Sequence, residues 1–277
     1  MRIIIVLICC SLFPGFAWFR SLGSIENEGS RTQAPAADVA HVLWEQAIAA
    51  KGGRKRLYAV RNLLERHERN SYVALFVFPD KVWQWSDVRP TPLGLAIEMQ
   101  NLGKGLSYKV EEDMSDPPRN LGENSAKEVL WPLYYAQLYY LLETQWIKPL
   151  PVKVYSGSIG RRPVDVVQTI VHFQKAPRAN DRGDRVDFHL DKQSHLLLEV
   201  AFPSDDSVGT NYGRGTYYVT FADYANVDGI QMPRRVGYLA EKPDASASVQ
   251  VNVQYDPEIF EHPPSLKRGP DAWKQQK

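Results

Sequence analysis

The stretch that decides the fold runs from residue 185 to residue 239 and reads RVDFHLDKQSHLLLEVAFPSDDSVGTNYGRGTYYVTFADYANVDGIQMPRRVGYL. In its first part, apolar side chains alternate with the polar residues Asp187, His189 and Asp191. Strict alternation is typical of a strand, because successive side chains point to opposite faces. Further on, Asp228 and Gly229 form a strong hairpin-turn signal between two strand-like runs. The stretch therefore predicts an antiparallel meander of three or four strands.

Strand-like runs separated by turn residues extend along most of the chain. Trp83 and Trp85 lie two residues apart and would share one face of a strand, where we expect them to fill the core. We predict one domain with ten to twelve strands and two main helices, which is a mostly β (α+β) fold. Besides the opening stretch, the predicted strands cover residues 60–68, 72–78, 81–88, 95–102, 106–111, 152–156, 163–174 and 246–255.

Two segments have helical periodicity. The first begins near Asp38, a residue suited to cap a helix, and ends at Gly52 and Gly53. The second, residues 125–144, is apolar around nearly its whole circumference and contains Pro132, which would kink or restart it. A helix without a solvent face is either sandwiched in the core or lies as a lid over an apolar cavity. The sequence leaves both alternatives open.

The N-terminus is typical of an export signal. Arg2 precedes an apolar run over residues 3–13, and small residues follow at 15–17. We predict a signal peptide at residues 1–17, a flexible leader at 18–37 and a periplasmic location. The alternatives are anchoring in the membrane by an uncleaved signal or by a lipidated cysteine, Cys9 or Cys10. Because both cysteines lie inside the predicted signal, the exported chain would have no disulfide or cysteine nucleophile.

Composition argues against a nucleic-acid partner. The 277 residues include 33 basic and 32 acidic side chains, so the formal net charge is +1. No basic stripe interleaves with aromatic residues, as binding to nucleic acid would require. With 44% hydrophobic residues, the chain can instead form a substantial core.

The sequence carries no strong catalytic signature. It has no HExxH zinc motif, no GxSxG nucleophile elbow, no P-loop and no Rossmann fingerprint. Asp187, His189 and Asp191 lie on one side of a predicted strand and have the chemistry of an acid–base or metal site, but their alternation is also typical of a solvated strand face. We therefore predict no enzyme activity, no catalytic residue, no metal site and no cofactor.

Six segments together resemble a known family, the periplasmic lipoprotein carriers of the LolA/LolB type, also described as outer-membrane lipoprotein-sorting-like. The resemblance covers residues 38–263 and implies a strongly curved antiparallel half-barrel with two main helices on its concave side. Residues 264–277 fall outside it, and we predict that they form a loose tail. The six segments, in chain order, are AIAAKGGRKRLYAVRNL (47–63), FPDKVWQW (78–85), GRRPVDVV (160–167), FHLDKQSHLLLEV (188–200), FADYANVDGIQMPRRV (221–236) and YDPEIFEHP (255–263).

The resemblance also implies a function. A half-barrel of this kind would hold an apolar ligand, a lipid or the acyl chains of a lipoprotein, and would serve lipid or lipoprotein trafficking to the outer membrane. The alternative is an envelope scaffold, a protein-interaction module with the same fold and no lipid cargo. Under the first hypothesis, the candidates for lining the apolar cavity are Trp83, Trp85, Trp131, Tyr135, Leu138 and Leu142.

Overall fold

The structure is a computed structural model that describes residues 36–67, 72–87, 89, 94–112, 119–120, 131–172, 184–204, 215–238 and 245–274. The predicted signal peptide and nearly all of the predicted leader lie outside these residues, as does the first part of the second predicted helix, residues 125–130. The limits of the signal, leader and domain stay predictions.

Short helices frame a large set of strands. The described α-helices are α1 (Ala36–Lys51), α2 (Arg54–Ala59) and α3 (Trp131–Leu141). Single 3-10 turns cover Leu102–Lys104, Pro257–Phe260 and Leu266–Asp271. The described strands are β1 (Asn62–His67), β2 (Tyr72–Val77), β3 (Lys81–Asp87), β4 (Leu95–Asn101), β5 (Leu106–Glu111), β6 (Arg119–Asn120), β7 (Leu150–Ile159), β8 (Arg162–Val171), β9 (Asp184–Asp191), β10 (Leu197–Ser204), β11 (Gly215–Val227), β12 (Ile230–Tyr238) and β13 (Ala245–Val251).

All thirteen described strands belong to one antiparallel sheet. Their order is β6-β5-β4-β3-β2-β1-β13-β12-β11-β10-β9-β8-β7, so two meanders meet where β1 pairs with β13. Within the described chain, β6 and β7 each pair on one side only, and the sheet is therefore open. The mostly β fold class predicted from the sequence is confirmed.

The sheet is buried on both faces over β1–β4. Alternate residues enter two separate hydrophobic clusters, as Leu63 and Leu64 do on β1. The first cluster contains residues of all three helices, and we call that side of the sheet the helix face. The second contains Ile259, Phe260 and Trp273 from the C-terminal segment, and we call that side the tail face.

The C-terminal segment is docked on the tail face, where the sequence predicted a loose tail. Trp273 is buried in the tail-face cluster, and its carbonyl accepts a 2.8 Å hydrogen bond from the Asp256 amide. Arg66 on β1 donates to Asp271 at 2.5 Å. The Pro-rich, aperiodic sequence of this segment resembles a disordered tail, but its few apolar residues cover a sheet face that would otherwise be exposed.

Replacing Trp273 with alanine tests this docking. We expect Trp273→Ala to lower the free energy of unfolding by about 3 kcal/mol, since it removes a large buried aromatic side chain. Lys274→Ala is the matched control, because that side chain is exposed and should change stability by less than about 0.5 kcal/mol. Urea unfolding of both variants decides the matter, and equal midpoints would show a tail that is not docked.

The junction between α1 and the sheet explains the Gly52-Gly53 pair. Gly52 has a φ of 134° and lies so close to the β11–β12 hairpin that a Cβ there would be 2.5 Å from the carbonyl oxygen of Gly229. Asp228 and Gly229, with φ of 50° and 80°, form the two-residue turn predicted from their sequence. Helix α1 is thereby fixed against one end of the meander from which the sequence analysis started.

Helix α3 ends before the predicted limit at residue 144, and it is fully buried where its side chains are described. It ends at Leu141, because Leu142 has a positive φ of 63°. Every residue from 136 to 144 is buried, which agrees with a helix sandwiched in the core. Helix α2, six residues between Gly53 and Val60, was not expected from the sequence.

Candidate functional site

The structure divides the six predicted cavity residues between two faces of the sheet. Leu138 and Leu142 lie in the helix-face cluster. Trp83 and Trp85 share a face, as predicted, but it is the tail face, where they pack in the cluster of the C-terminal segment. Trp131 and Tyr135 lie in helix α3, where the structure describes their backbone but not their side chains. A ligand-binding role for any of the six stays a prediction.

On one half of the helix face, helices and strands are joined by aromatic contacts. The ring of Trp44 on α1 packs edge-on against Phe188 of β9, with centroids 4.9 Å apart. Tyr139 on α3 contacts Phe202 of β10 at 5.6 Å and Phe221 of β11 at 5.7 Å. These contacts join α1 and α3 to β9, β10 and β11 within the helix-face cluster.

The other half of the helix face changes from apolar to polar along the sheet. Directly paired side chains lie on the same face, so the strand register places them in rows that cross the strands. One such row is Val251, Leu63, Phe76, Val82, Gln100 and Ser107, from β13 to β5. Its neighbour is Val249, Glu65, Ala74, Gln84, Glu98 and Lys109. Both rows begin at an apolar residue of β13 and end at polar residues of β4 and β5.

Three buried polar side chains in the β3–β5 part of these rows have atoms without a partner. Gln84 is 4% exposed, Gln100 is 2% exposed and Ser107 is fully buried. Their Nε2, Oε1 and Oγ atoms, respectively, find no hydrogen-bond partner in the described structure. Buried polar atoms without a hydrogen bond are uncommon in protein cores, because each one costs about 1–3 kcal/mol of folding free energy. We call Gln84, Glu98, Gln100 and Ser107 the polar cluster.

Charged residues beside the polar cluster are already paired. Glu65 and His67 form a buried ion pair on β1, and Lys109 pairs with Glu111 on β5. Burial lowers the pKa of His67, but the charge and hydrogen bond of Glu65 outweigh it and raise that pKa overall. Burial raises the pKa of Glu98 even though Lys109 opposes the shift, so this carboxyl is held toward its neutral form.

A second polar site lies where the three helices meet. The Glu143 carboxylate, directly after α3, is buried and accepts hydrogen bonds from Trp44 Nε1 and from the Tyr58 hydroxyl, each at 3.0 Å. Arg54 on α2 donates its Nε–H to the same carboxylate and pairs with Glu45 on α1 at 2.7 Å. Glu143 thus ties α1, α2 and the end of α3 together, which is a structural role.

Lys51, the last residue of α1, is fully buried. Its ammonium has no hydrogen-bond partner among the described residues and lies 4.9 Å from the ring centroid of Tyr224 on β11. Burial lowers its pKa to about 7. The Tyr224 hydroxyl donates to the carbonyl of Leu197 at 2.6 Å, and the Lys51 ammonium faces the ring of this tyrosine.

Asp187, His189 and Asp191 each engage a different neighbour. Asp187 accepts from the Tyr155 hydroxyl at 2.5 Å, and the Nδ1 of His189 lies 3.3 Å from Glu199. Burial opposes ionisation of Asp191, but its hydrogen bonds from Arg162 and Ser194 outweigh this and hold its pKa at about 2. In this geometry Asp191 caps a hairpin turn.

Two further observations limit the chemistry of the described residues. No group of three or more His, Cys, Asp or Glu side chains among them is placed to hold a metal ion. No described helix combines the length and apolar composition that a membrane span requires.

Sequence reasoning missed the polar cluster, Lys51 and the Glu143 site. The cluster alternates with apolar residues and therefore resembles a solvated strand face. Lys51 resembles a favourable cation at a helix C-terminus. The one available signal was Glu143, a lone acid two residues after a largely apolar helix.

Comparisons with known proteins identify similar solved structures. No protein-family model and no curated protein matches the chain. A LolA superfamily protein from Nitrosomonas europaea matches at 10% identity and a TM-score of 0.40, over 80% of this chain and 96% of that one.

An outer membrane lipoprotein-sorting protein domain from Vibrio parahaemolyticus matches at 10% identity and a TM-score of 0.41, over 81% and 97% of the two chains. A DUF1329 family protein from Desulfovibrio piger matches at 10% identity and a TM-score of 0.42, over 83% of this chain and 98% of that one. The first two belong to the group that the sequence resembles, while the argument about function rests on this chain's own residues.

Proposed function

We propose that this protein is an exported, periplasmic binding protein without enzymatic activity, and that it holds an amphipathic ligand, a lipid or lipoprotein acyl chain, against the helix face. The observation that carries the proposal is that the polar half of that face has buried polar atoms without hydrogen-bond partners in the described structure. Three buried polar atoms without partners lie on β3, β4 and β5, in rows that begin with apolar residues of β13. A ligand with an apolar chain and a polar end matches that gradient.

The gradient also gives the direction of the ligand. Its apolar part would lie against Leu63 and Phe76, which are buried in the helix-face cluster. Its polar end would reach the polar cluster two to three strands further along the sheet. Strands are spaced about 4.8 Å apart, so this distance is on the order of 10–15 Å, which a fatty acyl chain can span.

The test is binding of N-phenyl-1-naphthylamine, an apolar dye whose fluorescence rises on leaving water. We expect saturable binding, and we expect Ala74→Leu to weaken it about tenfold, because the added methyl groups project from the helix face between Glu65 and Gln84. Val73→Leu is the matched control, since Val73 is its neighbour on the same strand but lies on the tail face. Absence of saturable binding to the folded wild-type protein would contradict the proposal.

A second candidate function, the envelope scaffold, is favoured by one observation. Strand β7 is an edge strand and carries Leu150 and Tyr155, which are 49% and 39% exposed. Val39 and Val42 on α1, the helix that packs on β7, are also exposed apolar residues. A photocrosslinker at position 150 that yields one discrete adduct in the envelope would support this candidate, and no adduct would count against it.

A further inference from the structure

We infer that the polar cluster binds an uncharged head group that both donates and accepts hydrogen bonds, such as the hydroxyls of a glyceryl group. This inference rests on the proposed function, whose ligand it narrows from any amphipathic lipid to lipids with one class of head group. It is carried by the unpartnered atoms of Gln84, Gln100 and Ser107 together with the pairing of the charges around them.

The three side chains are close enough to bind one group. Gln100 and Ser107 are direct cross-strand partners on β4 and β5, which places their Cβ atoms about 5 Å apart. Gln84 on β3 is paired with Glu98, two residues before Gln100, and is therefore a diagonal neighbour of Gln100 at about 7–8 Å. Side chains of this length can converge on one polar group across such separations.

The free atoms have mixed hydrogen-bonding character. The Nε2 of Gln84 is a donor and requires an acceptor from the ligand, whereas the Oε1 of Gln100 is an acceptor and requires a donor. The Ser107 hydroxyl serves in either direction. An ester carbonyl can only accept and an ammonium can only donate, while a hydroxyl does both.

The charges argue against an anionic head group. Lys109 is paired with Glu111 and His67 with Glu65, so neither of these basic side chains of the helix face is free. Glu98 adds a carboxyl within the cluster itself, and its burial favours the neutral form. An anion would therefore meet three carboxyl groups and two basic side chains that are already engaged, with little electrostatic gain.

Lys51 is the competing site for an anion, because its ammonium is buried and has no hydrogen-bond partner in the described residues. It lies against β11, six strands from β4 in the sheet order, so it does not serve the polar cluster as a counter-ion. A ligand that binds at Lys51 would be anionic, whereas a ligand at the polar cluster would have an uncharged head group.

Four probes with the same oleoyl or oleyl chain separate these cases: 1-oleoylglycerol, methyl oleate, oleate and oleylamine. We expect 1-oleoylglycerol to displace the naphthylamine dye most effectively, with an affinity about tenfold higher than that of methyl oleate. Oleate binding tightest would overturn the inference in favour of Lys51, and oleylamine binding tightest would overturn it in favour of an ionised Glu98. Equal displacement by all four would leave the proposed function standing and overturn the head-group assignment.

Gln100→Leu provides the decisive variant, with Gln250→Leu as its control. Gln250 is exposed on the tail side of β13, opposite Leu64. We expect Gln100→Leu to weaken 1-oleoylglycerol about tenfold, to leave methyl oleate within twofold, and to raise the unfolding midpoint of the ligand-free protein, because it removes a buried unpartnered atom. A lower midpoint together with unchanged probe affinities would show that Gln100 is structural and would contradict the inference.

Discussion

Replacing Lys51 with methionine is expected to stabilise the protein at neutral pH. The side chain is fully buried, and its ammonium has no hydrogen-bond partner in the described structure. Methionine has a similar length and no charge, so it fills the same space without desolvating an ion. We expect the free energy of unfolding to rise by about 3–4 kcal/mol at pH 7.

The effect must depend on pH in a defined direction. The pKa of Lys51 falls from an ordinary 10.5 to about 7 in the folded protein. Between pH 7 and pH 10 the unfolded chain therefore binds up to one more proton than the folded one, and the stability of the wild type rises by up to about 4 kcal/mol over that range. The advantage of Lys51→Met is largest at and below pH 7 and shrinks as the pH approaches 10.

Chemical unfolding at pH 6, 7, 8, 9 and 10 measures the difference in free energy of unfolding between Lys51→Met and the wild type. Lys55→Met is the matched control, because Lys55 is a nearby but exposed residue of α2. The control should change stability by less than about 0.5 kcal/mol at every pH. A Lys51→Met variant that is less stable than the wild type at pH 7 would contradict the account and would indicate a partner for the ammonium.

Removing the Glu143 carboxylate is expected to destabilise the protein by about 3–5 kcal/mol. Three side chains converge on it, Trp44 and Tyr58 by hydrogen bonds of 3.0 Å and Arg54 by an ion pair. In Glu143→Ala, Trp44 Nε1 remains buried without an acceptor and Arg54 loses its buried partner. Because these groups come from α1 and α2, the variant weakens the attachment of both helices.

Glu45→Ala is the control for that variant. Glu45 binds the same guanidinium of Arg54, at 2.7 Å, but its side chain is 55% exposed. Surface ion pairs contribute little, so we expect a loss of less than about 1 kcal/mol. If thermal or urea unfolding gives equal losses for the two variants, the buried carboxylate does not have the role assigned to it.

The period of the strands could be predicted from the sequence, whereas the identity of their faces could not. On β3, the alternation of Trp83 and Trp85 with Gln84 indicates one buried face and one solvated face. The structure buries both, the tryptophans under the C-terminal segment and Gln84 on the helix face. The cover over the tryptophans is aperiodic and Pro-rich, so no local pattern revealed it.

The candidate site was harder to predict than the fold for the same reason. Leu138 and Leu142 are buried in the helix-face cluster, and their predicted role in lining a cavity stays a prediction. Gln100 and Ser107 were not singled out, since isolated polar residues in strands are usually exposed. Their importance depends on cross-strand register, which joins residues of β4 and β5 that have no shared sequence signal.

The most direct test of the central claim is native mass spectrometry of the exported protein, purified without detergent and then extracted with organic solvent. The account predicts a reproducible one-to-one adduct that is extracted as a lipid with an uncharged hydroxyl-bearing head group, and that is reduced in Gln100→Leu but not in Gln250→Leu. The account would be contradicted if the wild-type protein had the mass of the polypeptide alone and formed no adduct when 1-oleoylglycerol was added.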